Sequence, residues 1–91
     1  MKFNSLMLAQ NRLKLLYLLR NSGFEVRMHA YEYLVAYNNK FLCLILLFPM
    51  ENKAVIKIFR WIPNNSSLIN EVVSTIKEIE KETEITVLAF P

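Results

Sequence analysis

The chain has 91 residues, of which 54% are hydrophobic, 12% aromatic and 21% charged, and its formal net charge is +3 at pH 7. This length accommodates one domain, residues 1–91, and the hydrophobic share excludes an intrinsically disordered polar chain. All eight acidic residues are glutamates and Gly23 is the single glycine, which excludes aspartate-based Mg²⁺ motifs and glycine-rich phosphate-binding loops.

The cellular setting follows from cysteine usage and from the length of the apolar runs. Cys43 is the single cysteine, so an internal disulfide and a multi-cysteine zinc site are excluded, as is usual for proteins inside cells. Arg12 and Lys14 interrupt the apolar stretch that a signal peptide would need. The longest apolar uncharged run, residues 41–50, is shorter than the roughly 20 residues that cross a bilayer. We therefore expect a cytoplasmic protein without a membrane partner.

The apolar content also bears on oligomeric state. A folded chain of this size buries only about 60–65% of the surface that its unfolded form exposes. One copy with this composition therefore leaves apolar side chains at its surface, and we expect a homodimer.

The first predicted element is an amphipathic helix over residues 5–22. Asn4 or Ser5 can cap its start, and Gly23 suits the left-handed position that follows its end. Its polar side includes Lys14, and its apolar side is formed by Leu8, Leu15, Leu18 and Leu19.

Extended segments follow the helix. Residues 24–30 alternate between apolar and polar side chains, which is typical of a half-buried strand, and residues 31–37 continue the extended pattern. Asn38 and Asn39 tolerate positive φ and predict a tight hairpin. Residues 41–48 are apolar on both faces, which predicts the central strand of the sheet, covered above and below.

The last third contains a strand, a helix and a strand. Residues 54–62 predict a strand that Pro63 ends, and Ser66 or Ser67 can cap a second helix running to about Glu82. Residues 85–90 predict a final strand, most simply a parallel neighbour of the central strand reached by a right-handed crossover. The predicted fold is α/β (α+β), in the order α-β-β-β-(β)-α-β, with a mixed central sheet and a helix on each face.

Positive charge is concentrated in the first two thirds of the chain. Residues 1–60 hold nine Lys and Arg against three Glu, a balance of +6, whereas residues 61–91 hold two Lys against five Glu, a balance of −3. Such an asymmetry favours a polyanionic partner on one side of the molecule. The candidate nucleic-acid-binding residues are Arg12, Lys14, Arg27, Lys40, Lys53, Lys57 and Arg60.

The element order and particular segments resemble the restriction-endonuclease-like (PD-(D/E)XK) superfamily, and within it the archaeal Holliday-junction resolvases. Residues 12–28, RLKLLYLLRNSGFEVRM, resemble the first helix, the Gly-aromatic turn and the first strand of that family. Residues 34–48, LVAYNNKFLCLILLF, resemble its catalytic hairpin, and residues 53–90 resemble the strand, helix and strand that follow. The resemblance implies nucleic acid as the partner, DNA more than RNA.

The chain departs from this family at the residues that carry catalysis, which implies that it does not cleave nucleic acid. Nucleases of this superfamily hold a divalent metal with acids on the second and third strands, and a lysine follows two residues after the second acid. The corresponding residues here are Glu32, Ile45 and Leu47, and Arg12 stands where the helix of the family offers another acid. Isoleucine and leucine cannot bind a metal. We expect a non-enzymatic protein without a cofactor that binds branched or structured nucleic acid or partners an active homologue.

Two alternatives remain open at the level of sequence. Structural subunits of tRNA-splicing endonucleases share this general core, and that family cleaves RNA with a Tyr, a His and a Lys. This chain has tyrosines, His29 and Lys81, but not in that spacing. The second alternative, from a different class, is a protein-interaction or assembly module in which the apolar excess forms an interface and the charge of +3 is incidental.

Several residues have both a functional and a structural interpretation. His29 lies beside charged residues on its strand face, which favours a surface histidine over a general base. Cys43 lies in the most apolar segment, which favours a buried side chain over a reactive thiolate. Four aromatic residues can stack on unpaired bases or pair across strands in the core, and the second interpretation is favoured for them: Tyr31, Tyr33, Tyr37 and Trp61.

Overall fold

The computed structural model describes residues 3–59 and 66–89, and its elements follow the predicted order. The helices are α1 (Ala9–Asn21) and α2 (Ser66–Ile79), and the strands are β1 (Glu25–His29), β2 (Glu32–Tyr37), β3 (Lys40–Phe48), β4 (Lys53–Ile58) and β5 (Glu84–Ala89). Short 3-10 turns, Ser5–Met7 and Pro49–Glu51, precede α1 and separate β3 from β4. The fold is a small α+β domain with two helices and a five-stranded mixed sheet.

The predicted first helix is divided in two. Leu8 is extended, with φ −88° and ψ 131°, and separates the 3-10 turn from α1. The Asn4 side chain caps the 3-10 turn by accepting a hydrogen bond from the backbone N–H of Leu6 at 2.9 Å. Gly23 follows the end of α1 with φ 99°, as predicted. The break takes Leu8 out of the helix, and its side chain is 43% exposed. Within α1, Leu15, Leu16 and Leu19 are buried and Leu18 is half-buried.

Left-handed residues close the tight turns of the sheet. Asn38 and Asn39, with φ 50° and 63°, form the predicted hairpin between β2 and β3. A second tight turn, between β1 and β2, was not predicted, because Ala30 (φ 53°) stands where glycine or asparagine is usual. Residues 24–30 and 31–37 therefore form two paired strands rather than a continuous extended segment.

The strand order is β1-β2-β3-β4-β5, antiparallel from β1 to β4 and parallel between β4 and β5. The prediction that residues 41–48 form the central strand is confirmed, since β3 is the middle strand. The prediction that the last strand lies beside it was wrong. Both edges of β3 are occupied by its hairpin neighbours β2 and β4, so β5 pairs with the free edge of β4.

The prediction of a helix on each face of the sheet was also wrong, because α1 and α2 pack against each other on the same face. Their apolar stripes meet the sheet in one core, in which Leu19 of α1, Ile76 of α2 and Ile45 of β3 are each fully buried. The opposite side chains of the strands are half-buried or exposed. Two amphipathic helices on one side form a single core, and no helix of residues 3–59 and 66–89 lies on the other side of the sheet.

A β-bulge in β3 adds one residue to the side of the strand that faces the helices. The register of β2 and β3 shifts between Val35 and Ala36, so that Val35 pairs with Cys43 and Ala36 pairs with Phe41. Leu42 is the extra residue, and both Leu42 and Cys43 are 0% exposed. The bulge places two consecutive apolar side chains in the core and leaves Phe41 on the other side.

A buried polar network fixes the N-terminal segment to the opposite end of the chain. Asn4 is 1% exposed, and its side-chain amide donates hydrogen bonds to Asn52 Oδ1 at 2.7 Å and Thr83 Oγ1 at 3.2 Å. Asn52 (φ 57°) in turn donates to the carbonyl of Glu82 at 2.8 Å. Each buried polar group of Asn4 has a partner, so the network stabilises the corner where β4 and β5 begin.

Asn4→Ala removes this network and is expected to lower the free energy of unfolding by about 2–3 kcal/mol, because buried groups of Leu6 and Thr83 lose their partner. Urea unfolding followed by circular dichroism measures the change. Asn70→Ala, at an exposed position of α2, is the control and should change stability by less than about 0.5 kcal/mol. Equal effects of the two substitutions would contradict the structural role of Asn4.

Ala30→Gly is expected to raise the free energy of unfolding by roughly 1 kcal/mol, because glycine adopts the left-handed conformation of residue 30 without a Cβ penalty. Ala36→Gly is the matched control inside β2, where glycine weakens a strand and should lower stability by about 1 kcal/mol. Thermal melts of both variants measure the effects. A destabilising Ala30→Gly substitution would show that Ala30 is not strained.

Candidate functional site

The sheet face opposite α1 and α2 is called the open face. Because side chains alternate along a strand, the register assigns to it one residue in two from each strand. Its residues are Glu25, Arg27 and His29 of β1, Glu32, Leu34 and Ala36 of β2, Phe41, Leu44, Leu46 and Phe48 of β3, Lys53, Val55 and Lys57 of β4, and Glu84, Thr86 and Leu88 of β5.

The centre of the open face is apolar. Leu44 pairs with Leu34 on one side, and Leu46 pairs with Val55 on the other, so these side chains form a continuous band across three strands. All four are only partly buried. At the two ends of the band, Phe41 is 49% exposed and Phe48 is 42% exposed, and the Phe41 ring lies 6.1 Å from the ring of Phe59. The sequence predicted that β3 is apolar on both sides but did not locate this exposed band.

Charges surround this band in equal numbers. The open face has three cations and three glutamates, so its charge sums to zero when His29 is neutral. Lys53 lies directly beside Glu84 in the register of β4 and β5, and His29 lies directly beside Glu32. The open face therefore combines an apolar centre with a mixed-charge margin, the composition of a protein interface rather than of a uniformly cationic surface. The six charged residues are Arg27, Lys53, Lys57, Glu25, Glu32 and Glu84.

The candidate nucleic-acid-binding residues occupy different parts of the molecule. Arg27, Lys53 and Lys57 share the open face. Arg12 and Lys14 belong to α1, in the helix layer on the other side of the sheet. Lys40 is exposed at the first position of β3, next to the Asn38–Asn39 turn, and Arg60 lies outside the described residues. The structure brings together three of the seven, and their role in binding stays a prediction.

Arg12 has a structural role within the chain. Its Nη1 donates hydrogen bonds to the carbonyls of Leu6 and Met7, both at 2.9 Å, and its guanidinium lies 4.1 Å from the centre of the Tyr31 ring. The side chain is half-buried. Arg12 therefore holds the 3-10 turn against the helix layer through charge-assisted hydrogen bonds and a cation–π contact.

The residues that correspond to nuclease ligands do not converge. Ile45 and Leu47 are 0% and 4% exposed on the covered side of β3, whereas Glu32 is exposed on the open face. In residues 3–59 and 66–89, no three His, Cys, Asp or Glu side chains are grouped so that they could hold a metal ion. His29 is exposed at the end of β1, in agreement with its interpretation as a surface histidine.

The tyrosines have distinct environments. Tyr33 is fully buried, and its hydroxyl donates a hydrogen bond to the carbonyl of Arg12 at 2.8 Å, so it belongs to the core. Tyr37 packs edge-on against Phe24 with ring centres 5.9 Å apart. Tyr31 is 41% exposed beneath the Arg12 guanidinium. Trp61 lies outside the described residues.

A groove of about 580 Å³ continues the apolar band at one end. Leu46 and Phe48 form its floor together with Met50, which is 70% exposed, and Glu32 and Glu51 contribute carboxylates. The groove was not predicted, because it combines the start of β2, the end of β3 and the 3-10 turn after it. Glu32, Leu46 and Phe48 of its lining also belong to the open face, whereas Met7, Tyr31 and Leu47 do not.

The fold and the open face define a class, a two-layer α+β domain in which α1 and α2 cover one face of the sheet. No family model matches the chain, and comparison with curated proteins and with solved structures yields no similar protein either. Neither helix in the described part of the chain is long and apolar enough to cross a membrane.

Two titratable groups are buried in the core. Burial raises the pKa of the Cys43 thiol from 9.0 to about 12. Burial also raises the pKa of Tyr33 above its ordinary value, and the nearby charge of Arg12 offsets only part of that effect. Both groups are therefore neutral in the folded protein at neutral pH, and the thiol of Cys43 lacks the thiolate character that a nucleophile needs.

These raised pKa values predict that the protein loses stability in alkali. A raised pKa contributes to the free energy of unfolding as long as the group stays protonated in both the folded and the unfolded chain. For Cys43 this contribution is fully present below about pH 9, the pKa of the thiol in the unfolded chain, and is lost as pH rises towards about 12. Denaturant unfolding at increasing pH measures this loss. Tyr33→Phe and Cys43→Ala should each flatten it, whereas Tyr17→Phe, at a position 56% exposed, should leave it unchanged. An unchanged slope in both core variants would contradict the assignment.

Proposed function

We propose that this protein is a non-catalytic protein-interaction module that binds its partner through the open face. The observation that carries the proposal is β3, which is apolar on both sides although the helices cover only one side. A central strand with this pattern is typical of a sheet covered on both faces. The second cover is then supplied by another polypeptide.

The energetics of burial support this proposal. Leu44 and Leu46 are half-buried and Phe48 is 42% exposed, so each gains roughly 1 kcal/mol when a partner removes the remaining apolar surface from water. Together with Leu34, Val55 and the ends of the band, these contributions are of the size that the apolar centre of a specific interface provides. The charged residues around the band orient the bound partner and disfavour partners whose charges do not complement them.

A second candidate function is the binding of structured or branched nucleic acid, DNA more than RNA, by a nuclease-fold protein without catalytic residues. Three cations on the open face favour it, because Arg27, Lys53 and Lys57 lie beside apolar side chains that can contact bases. The glutamates on the same face oppose it, since each repels phosphate. The element order agrees with the resemblance to the restriction-endonuclease-like superfamily, whereas the position of both helices on one face departs from it.

A photoreactive phenylalanine analogue at position 44 tests the proposal in the cells that make the protein. Irradiation should attach a polypeptide at position 44, whereas the same analogue at position 14, exposed on α1, should give no comparable product. Denaturing gels with nuclease and protease treatment identify the attached molecule. Attachment of nucleic acid at position 44 would favour the second candidate. Absence of any product specific to position 44 would contradict the open face as a binding site.

A further inference from the structure

We infer that the polypeptide covering the open face is a second copy of this chain, packed face to face about a twofold axis that runs along β3. The inference rests on the proposed function and names the partner. Two five-stranded sheets would then form the centre of a four-layer dimer, with α1 and α2 of each copy outside. Face-to-face packing of sheets about 10 Å apart is the ordinary geometry of a sandwich.

The dimensions of the open face suit such a dimer. Five strands about 4.8 Å apart, each about 20 Å long, give a projected area of roughly 480 Å² per copy. Two copies bury nearly 1,000 Å² in projection, about the size at which a specific interface begins. The accessible area is larger than this projected area, because exposed side chains project from the sheet: Phe41, Phe48 and Leu88 are each more than 40% exposed.

The twofold symmetry places identical residues of the two copies opposite each other along the apolar band. A twofold axis along β3 superposes the β3 strands of both copies, so Leu44 contacts Leu44 of the partner subunit and Leu46 contacts Leu46 of the partner subunit. A side chain on the twofold axis contacts the same side chain of the partner subunit, so it must pack against an identical group without repulsion. Uncharged leucines do so, and in the described residues no charged side chain of the open face belongs to β3.

The same axis brings opposite charges near each other. Because the strand order reverses across the interface, β2 of one copy lies over β4 of the other. Glu32 then faces the partner's Val55, which stands between the partner's Lys53 and the partner's Lys57 in the register of β4. Lys53 and Lys57 each lie two residues from Val55 along β4, so the Glu32 carboxylate enters the interface between two amines of the partner subunit, and the symmetry repeats this arrangement once. Two faces with a single sign of charge would repel each other, whereas here a carboxylate lies near two amines.

A charge-exchange experiment tests both the partner and the axis. Sedimentation and native mass spectrometry of the unmodified chain should show a species of twice 10.7 kDa. Glu32→Lys alone, and Lys53→Glu with Lys57→Glu, should each raise the dimer dissociation constant at least about tenfold, because like charges then meet. An equimolar mixture of the two variants should form heterodimers well above the statistical half. The substituted side chains lie at the sheet surface, and circular dichroism checks that each variant folds.

Other outcomes separate this inference from the proposed function. A monomeric chain whose position 44 attaches a different polypeptide would overturn the second-copy inference and leave the proposed function standing. A dimer whose charge variants mix statistically, or which Leu13→Glu on α1 disrupts as strongly as Leu44→Glu, would overturn the arrangement along β3. A monomer with no product at position 44 would overturn both.

Discussion

The constraint on which the structure depends is the placement of two amphipathic helices on the same side of a sheet whose central strand is apolar on both sides. Each helix has one apolar stripe, so together they cover one face. β3 therefore contributes Ile45 and Leu47 to a closed core and Leu44 and Leu46 to an open surface. The same nine-residue strand supplies both the stability of the fold and its candidate binding site.

The rest of the chain maintains this arrangement at its ends. Arg12 holds the first 3-10 turn by two hydrogen bonds to backbone carbonyls, and Asn4 links that turn to Asn52 and Thr83. Residues 4 and 83 come from opposite ends of the described chain, so this hydrogen bond ties the N-terminal segment to the residue that precedes β5. Arg12, which the sequence assigned to phosphate binding, in this way holds backbone carbonyls.

Most elements could be predicted because the local signals agree with one another. Asn38 and Asn39 predicted a hairpin that the structure contains, since asparagine tolerates the φ values of 50° and 63° found there. Ala30 carries no such signal, so the turn between β1 and β2 was missed. Periodicity identifies which side of a helix is apolar, but it does not say which face of a sheet that side meets. The common side of α1 and α2, and the open face that results, therefore required the structure.

The charge count illustrates the same limit at the level of function. A balance of +6 in residues 1–60 predicted a cationic surface, but a sum along the sequence ignores where side chains point. Folding directs Arg12 to backbone carbonyls and places Lys14 in the helix layer. Arg27, Lys53 and Lys57 lie on a sheet face that also carries three glutamates. What remains on the open face is an apolar band with a neutral margin. Apolar area stabilises association with any partner, and charges of both signs select a partner with complementary charges. Both features support the proposed polypeptide partner over a phosphate backbone.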